Sequence, residues 1–239
     1  MKIQKKDSPL HPPVLGRRLA HIARLVPPGA RLADIGTDHG RLIAHLAATG
    51  RIACGWACDI NPKPLAKAQR LVAALGLGDT VTALCCDGLS GITPQMADHI
   101  VIAGMGGDLI AGIIGGWEHR RHSGVRYLLS PMTRPEALRG FLYTGGYILE
   151  QESCVREGRF VYSVMSAAYT GHPVQPDDLT LYTGAIRDMS IPDNLLYIQV
   201  LIRRLRVKAA GIETAGQDAG RWRNLLEQLE QLAGTAGQR

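Results

Sequence analysis

The sequence of 239 residues has few aromatic side chains and no uninterrupted apolar run of membrane-spanning length. Because aromatic residues make up only 5% of the chain, aliphatic side chains must fill most of its core. Asp108 and several glycines interrupt the longest apolar stretch, residues 100–117. We therefore do not interpret this stretch as a membrane span, and we expect no membrane partner.

The cysteines fit neither a disulfide framework nor a metal site. Their number, five, is odd, and no CxxC pair occurs. Cys54 and Cys58 fall on one face of a predicted strand, where free cysteine behaves as a small hydrophobe. Adjacent Cys85 and Cys86 point to opposite faces, an unsuitable arrangement for binding one metal ion. With no apolar signal segment at the start, we expect a cytoplasmic protein without a metal.

Acidic residues are fewer than basic ones. Lysine and arginine number 27 against 21 aspartates and glutamates, which gives a net charge of +6. Such an excess favours a polyanionic partner such as a nucleic acid, but many enzymes that bind no nucleic acid share it. Charge alone leaves both possibilities open.

Hydrophobic periodicity predicts strands that alternate with helices. A short amphipathic helix over residues 15–26 comes first. Strands are predicted over 31–36, 52–60, 81–88, 97–104 and 125–130, and helices over 41–50, 62–76, 107–117 and 134–146. A loop follows the third strand. Such alternation is typical of right-handed βαβ units that bury a parallel sheet.

The pattern changes after residue 146. Residues 146–155 and 159–169 form two strands joined by the short turn "REG", which predicts a hairpin that completes a seven-stranded sheet. This is the α/β architecture of Rossmann-like class I methyltransferases. Two amphipathic helices, 195–211 and 221–234, then predict a coiled-coil-like α-helical hairpin. We expect a catalytic domain over 1–172 and a helical C-terminal domain over 173–239.

Acidic residues and glycines follow the predicted strands, at the edge where open α/β sheets bind ligands. Strand one ends at Asp34, before the loop Gly36, Thr37, Asp38, His39 and Gly40. Strand two ends at Asp59, whose carboxylate can accept both ribose hydroxyls of a nucleoside. Strand three ends at Asp87 and Gly88, where a carboxylate can bind an adenine amino group. Strand four ends in the small-residue sequence "AGMGG", residues 103–107.

These residues favour a cofactor without phosphate groups. A dinucleotide needs a glycine-rich cradle for its pyrophosphate, which Asp38 would repel. S-adenosylmethionine has no phosphate, and its ammonium group suits a carboxylate such as Asp34. The predicted cofactor contacts are Asp34, Gly36, Thr37, His39, Gly40, Asp59, Ile60, Asp87, Gly88, Ala103, Gly104 and Met105.

The segments "DIGTDHG", "CDGLSGI" and above all "IAGMGGDLI" resemble the TrmK family of bacterial tRNA (adenine-N1)-methyltransferases. The similarity extends over roughly residues 15–170. It implies S-adenosylmethionine as the methyl donor, an adenine in the D-arm region of tRNA as the acceptor, and a helical C-terminal domain. Because N1 carries a lone pair and no proton, its attack on the methyl group needs no strong general base, and we assign no catalytic residue. Predicted substrate contacts are Arg17, Arg18, Gly106, Gly107, Ser130, Pro131 and Met132.

Several interpretations remain open at this stage. Ser130-Pro131-Met132-Thr133 stands where family members commonly carry "QPN", and "DHGRLI" stands where they often have "DHAYLP". Both departures lie near the expected acceptor pocket, so a different RNA nucleotide, a small molecule or a protein could be the acceptor. A non-catalytic RNA-binding protein and an NAD dehydrogenase are further alternatives. Additional candidates for RNA phosphate contacts are Arg41, Arg134, Arg203, Arg204, Arg206 and Lys208.

Overall fold

The computed structural model describes residues 11–235. Its helices are α1 (Arg17–Leu25), α2 (Arg41–Ala48), α3 (Pro62–Ala74), α4 (Gly107–Gly116), α5 (Pro135–Thr144), α6 (Asp178–Thr183), α7 (Pro192–Thr214) and α8 (Gly220–Gly234). Its strands are β1 (Ala30–Ile35), β2 (Ile52–Asp59), β3 (Val81–Cys85), β4 (His99–Ala103), β5 (Arg126–Ser130), β6 (Tyr147–Glu157) and β7 (Phe160–Tyr169).

The seven strands form one sheet in the order β3-β2-β1-β4-β5-β7-β6. β1 pairs in parallel with both β2 and β4, β2 pairs in parallel with β3, and β6 pairs antiparallel with β7. The mixed sheet and the C-terminal helices confirm the predicted fold class.

Two compact units are distinguished by their internal contacts. One comprises Met1–Ala103 and Ile113–Leu128, and the other Gly104–Gly112 and Leu129–Arg239. The first unit contains the ends of β1, β2 and β3. Its core includes aliphatic residues from β1, α2 and β4, such as Leu32, Ile43 and Ile100, all fully buried.

In the second unit, α7 and α8 run antiparallel. Arg206 on α7 pairs with Glu230 on α8 at 2.6 Å, and Glu213 pairs with Arg223 at 2.7 Å. Between these pairs the residue number rises along α7 and falls along α8, as an antiparallel hairpin requires. The sequence did not predict α6, which starts at an Asp177 side chain that accepts the Thr180 amide hydrogen at 2.8 Å.

The C-terminal helices share a core with the terminal strands. Ile186, Ile198 and Leu205 pack in one apolar cluster with Cys154 of β6. Next to this cluster lies a fully buried ion pair between Arg139 of α5 and Glu152 of β6, at 2.6 Å. The guanidinium of Arg139 also donates to the carbonyls of Leu181 and Tyr182 and to the Tyr197 hydroxyl.

We expect Glu152→Ala to destabilise this unit strongly, because it leaves the Arg139 charge buried without its counterion. The expected loss is about 3–5 kcal/mol, measured as the free energy of urea unfolding. Glu230→Ala, which breaks an exposed pair, serves as the control and should cost less than about 1 kcal/mol. Equal effects of the two substitutions would contradict this assignment of stability to the buried pair.

Candidate functional site

The loop after β1 is held by hydrogen bonds from Thr37. Its hydroxyl donates to the Asp34 carboxylate at 2.7 Å, and its amide donates to the Cys58 carbonyl at 2.9 Å. Asp34 and Thr37 are both buried. The loop therefore fixes the position of the Asp34 carboxylate relative to the end of β2.

Glycine is required where this loop enters α2. Gly40 has φ +68°, and a Cβ atom there would lie 2.8 Å from the Ala68 Cβ of α3. Gly36 also has a positive φ, +69°. A larger residue at Gly40 would separate the starting turn of α2 from α3, so this glycine serves close packing as well as the turn.

Among the predicted cofactor contacts in the first unit, Asp34 has the most strongly shifted pKa. Burial raises its pKa to about 6, against the opposing effect of the Thr37 hydrogen bond, and the Asp59 charge raises it further. A buried carboxylate with few polar partners binds a proton or another cation readily. The site is therefore electrostatically suited to a cationic ligand group.

Asp59, at the end of β2, is buried and oriented by the backbone. One carboxylate oxygen accepts the Asn61 amide hydrogen at 2.8 Å, and the other accepts the Asp38 amide hydrogen at 3.3 Å. Each oxygen keeps a further lone pair for a ligand hydroxyl. Next to it, Ile60 exposes 57% of its surface.

His39 bridges two elements of the first unit. Its Nδ1 lies 2.6 Å from the Asp38 carboxylate, and its Nε2 lies 2.9 Å from the Lys67 ammonium group on α3. Sequence reasoning missed Lys67, which is 28 positions away and carries no local signal. Because both ring nitrogens already have protein partners, His39 holds the loop against α3, and its predicted cofactor contact remains a prediction.

The end of β3 is attached to β2 through the backbone. The Cys86 amide donates to the Asp59 carbonyl at 3.2 Å, and the exposed Asp87 follows directly. Gly88 has φ +53°, and a Cβ atom there would lie 3.0 Å from the Ile113 side chain. Ala103, the last residue of β4, is half-buried.

In the second unit, residues 104–107 and 130–134 are joined by backbone hydrogen bonds. Gly104 donates to Ser130, Met132 donates to Met105 at 2.8 Å, and Gly107 donates to Thr133 at 2.8 Å. A Cβ atom on Gly107 would lie 2.1 Å from the Arg134 carbonyl oxygen, so only glycine permits this approach. The predicted substrate residues Gly106, Gly107, Ser130, Pro131 and Met132 thus form one loop pair.

The side chains of this loop pair differ in availability. The Ser130 hydroxyl is buried and donates to the Ser163 carbonyl at 3.2 Å, and Pro131 is buried as well. Met132 exposes 48% of its surface. Among these three residues, Met132 is therefore the side chain that is free to touch a ligand.

Several candidate phosphate contacts have partners within the protein. Arg41 donates to the Val14 carbonyl, Arg134 pairs with Asp108 at 2.9 Å, and the Lys208 ammonium lies 3.6 Å from the centre of the Trp222 ring. Arg17 is exposed and Arg18 half-buried at the start of α1. On α7, Arg203 and Arg204 are exposed, and neither forms an ion pair within residues 11–235.

Residues 11–235 contain neither a candidate membrane span nor a candidate metal cluster. No helix there is long and apolar enough to cross a membrane. No group of three or more histidine, cysteine, aspartate or glutamate residues in the same range could hold a metal ion.

The seven-stranded sheet and its strand order define the fold of the methyltransferase class. In agreement, residues 15–165 match the family described as "Methyltransferase domain". A tRNA (adenine(22)-N(1))-methyltransferase of Bacillus subtilis (strain 168) is 32% identical over 172 residues, which cover 72% of each chain. The chain belongs to this methyltransferase family, and specifically to the tRNA (adenine-N1)-methyltransferases that the sequence resembles.

Solved structures are similar over nearly the whole chain. The B. subtilis m1A22 tRNA methyltransferase TrmK is 26% identical with a TM-score of 0.75, over 93% of this chain and 98% of that one. Sp1610 of Streptococcus pneumoniae, crystallised with S-adenosyl-L-methionine, is 25% identical with a TM-score of 0.75, over 90% and 98%. The matches include the region of the C-terminal helices.

We expect the Asp34 carboxyl group to titrate near pH 6, because burial disfavours its charged form. Thr37→Val should raise this pKa by removing the hydroxyl donor, whereas Asp59→Asn should lower it by removing a negative neighbour. Carbon-detected NMR of the carboxyl resonances measures all three. An Asp34 resonance that titrates near pH 4 would contradict the burial of this group.

Proposed function

We propose that this protein transfers the methyl group of S-adenosylmethionine to N1 of an adenine in tRNA, and that the adenine is nucleotide 22. The observation that carries this proposal is the set of acidic residues at three successive strand ends, Asp34, Asp59 and Asp87, in a chain of the tRNA (adenine-N1)-methyltransferase family. These carboxylates match the uncharged hydroxyls and positive charges of the cofactor, which has no phosphate.

The residues of the first unit suit the parts of S-adenosylmethionine individually. Asp34, whose pKa is raised, would hold the ammonium group in place of a proton. The free lone pairs of Asp59 would accept the ribose hydroxyls, and the exposed Ile60 would cover the adenine ring. Asp87 would accept a hydrogen bond from the adenine amino group. When bound, the cofactor supplies a methyl group activated by its sulfonium.

The acceptor needs alignment more than it needs a base. N1 of adenine carries a lone pair, so attack on the methyl group releases no proton that a side chain must take up. The protein contributes by holding the base in position and by tolerating the positive charge of the product. We assign the holding role to the loop pair 104–107 and 130–134, with Met132 as its exposed side chain.

Binding of tRNA has support in the charge of the chain. The net charge of +6 favours a polyanion through counterion release. Arg203 and Arg204 lie exposed on α7 and form no ion pair within residues 11–235, so these side chains can reach phosphates, and Arg17 lies exposed on α1. All five cysteines are free thiols, which suits a reducing cytoplasm, where tRNA is found.

A different acceptor is the second candidate. Met132 is apolar and half-exposed, and it stands where the resemblance to the TrmK family implies an amide side chain. A thioether cannot reproduce the hydrogen bonds of an amide, so this loop favours a contact with the face of a base over recognition of its edge. Another RNA nucleotide is the alternative that this observation supports.

The deciding experiment is incubation of the full-length protein with unmodified tRNA and methyl-labelled S-adenosylmethionine, followed by nucleoside mass spectrometry. We expect labelled 1-methyladenosine, located at position 22 by reverse-transcription arrest. A tRNA with guanosine at position 22 is the matched control and should receive no label. A different labelled nucleoside would establish the second candidate, and no RNA product would refute both.

We expect Asp59→Ala to weaken S-adenosylmethionine binding by roughly 2–3 kcal/mol, since it removes charge-assisted hydrogen bonds to the ribose. Titration calorimetry of the full-length protein gives this value. Asp79→Ala, which removes an aspartate from the loop before β3, is the control and should leave the affinity unchanged. Unaltered affinity in Asp59→Ala, with an intact circular dichroism spectrum, would refute the ribose contact.

A further inference from the structure

The residue that precedes α5 has a strained backbone. Arg134 comes directly before Pro135 and has φ 52° and ψ 47°, in the left-handed region. Apart from glycine, mainly asparagine and aspartate adopt this region, and the residue before a proline is restricted further. The Arg134 side chain makes no capping hydrogen bond to α5. The start of the helix therefore does not explain an arginine at this position, and strain of this kind is typical of ligand-binding segments.

Contacts with α4 and α5 hold the Arg134 backbone in this conformation. The Gly107 amide donates to the Thr133 carbonyl at 2.8 Å, and the Arg134 carbonyl accepts the Ala137 amide hydrogen at 3.2 Å. A Cβ atom on Gly107 would lie 2.1 Å from that same Arg134 carbonyl oxygen. The Arg134 side chain thus starts from a fixed point of the loop pair that we assign to the acceptor.

The guanidinium of Arg134 lies at the surface between two carboxylates. Its Nη1 atom is 2.9 Å from the Asp108 carboxylate of α4, and its Nε atom is 4.0 Å from that of Glu136. The side chains of Arg134 and Asp108 are 63% and 57% exposed. A pair that is this exposed contributes little to stability, because water screens both charges. Another anion can therefore replace Asp108 without unfolding either helix.

The same loop also presents an apolar side chain. Met132, which is half-exposed, stands two residues before Arg134. A thioether makes favourable contacts with an aromatic ring, and a guanidinium binds two oxygens of one phosphate. Among residues 104–112 and 129–138, Arg134 is the single cation against two anions. The segment thus offers one group for a base and one for a phosphate, and the second group is neutralised by carboxylates of the protein.

We propose that Arg134 binds a backbone phosphate beside the target nucleotide of the RNA, and that Asp108 holds its guanidinium in the free protein until the phosphate displaces it. Asp108 is then a restraint that lowers the affinity for RNA, because the phosphate must compete with it. This inference rests on the proposed function, since its ligand is the RNA substrate.

The exchange gives the two partners of one ion pair opposite roles. Loss of the Arg134 charge removes a phosphate contact, whereas loss of the Asp108 charge frees the guanidinium before RNA binds. If the pair only supported the loops, either substitution would break it, and both would weaken RNA binding. The direction of the change in Asp108→Asn therefore distinguishes the exchange from a structural role.

The experiment measures binding of an unmodified tRNA transcript to the full-length protein by fluorescence anisotropy, at several salt concentrations. We expect Arg134→Gln to raise the dissociation constant about tenfold, the loss of one charge-assisted contact. Its salt dependence, plotted on logarithmic axes, should be shallower by about 0.9, as for one lost phosphate contact. Asp108→Asn should lower the dissociation constant by about twofold to fivefold, the equivalent of one exposed ion pair.

Three further variants serve as controls. Arg70→Gln removes an exposed cation from α3, and Glu136→Gln removes the more distant carboxylate. Both should change the dissociation constant by less than about twofold, because charges without a direct contact are screened by salt. Asp108→Asn combined with Arg134→Gln should bind no better than Arg134→Gln alone. Thermal unfolding of every variant verifies its fold.

Several results would overturn the proposal. They are weaker tRNA binding in Asp108→Asn, equal effects of Arg134→Gln and Arg70→Gln, and a gain from Asp108→Asn that persists without Arg134. Unchanged tRNA affinity in Arg134→Gln, while the unsubstituted protein forms 1-methyladenosine, would refute this inference alone. If the unsubstituted protein neither bound tRNA nor methylated it, the proposed function would fail and this inference with it.

Discussion

The parallel pairing of β1 with β2 and β4 is the constraint on which the proposed cofactor site depends. In-register parallel strands end at one edge, so residues that are far apart in sequence, such as Asp34 and Asp59, emerge next to each other. The pairing of β2 with β3 extends this edge to Cys86 and Asp87. A slip of one residue would direct these carboxylates to the opposite face of the sheet, and they would no longer lie together.

The same pairing buries the Asp34 carboxyl group at an energetic cost, to which the nearby Asp59 charge adds. The pKa of Asp34 rises from 3.8 to about 6, which corresponds to roughly 3 kcal/mol between its two protonation states. Since the folded value lies above the unfolded one, this group favours folding at low pH, and that contribution is lost as the pH rises from about 4 to 6. A bound cation would stabilise the charged carboxylate of Asp34. Binding of a positively charged ligand would therefore offset part of this cost.

Most of the fold could be predicted from sequence, whereas the partners of individual side chains could not. Strong periodicity identified every strand and the two long C-terminal helices, but α6 was missed because six residues are too few to show a period. The acidic strand ends were found because they follow strands directly. The His39–Lys67 contact depends on which helix becomes the neighbour of the loop after β1. Hydrophobic patterns do not encode that information.

The C-terminal helices begin after a boundary in the sequence pattern, but interactions that stabilise the protein cross that boundary. The βαβ pattern stops before residue 173, and this predicts a separate domain. Yet the carbonyls of Leu181 and Tyr182 solvate the buried guanidinium of Arg139, which belongs to α5. Removing the tail would expose this ion pair and the apolar surface around Cys154, so a truncated chain would report on unfolding as well as on RNA binding. Arg203 and Arg204 are exposed and take part in no such interaction within residues 11–235. Their substitution therefore separates an effect on RNA binding from an effect on folding.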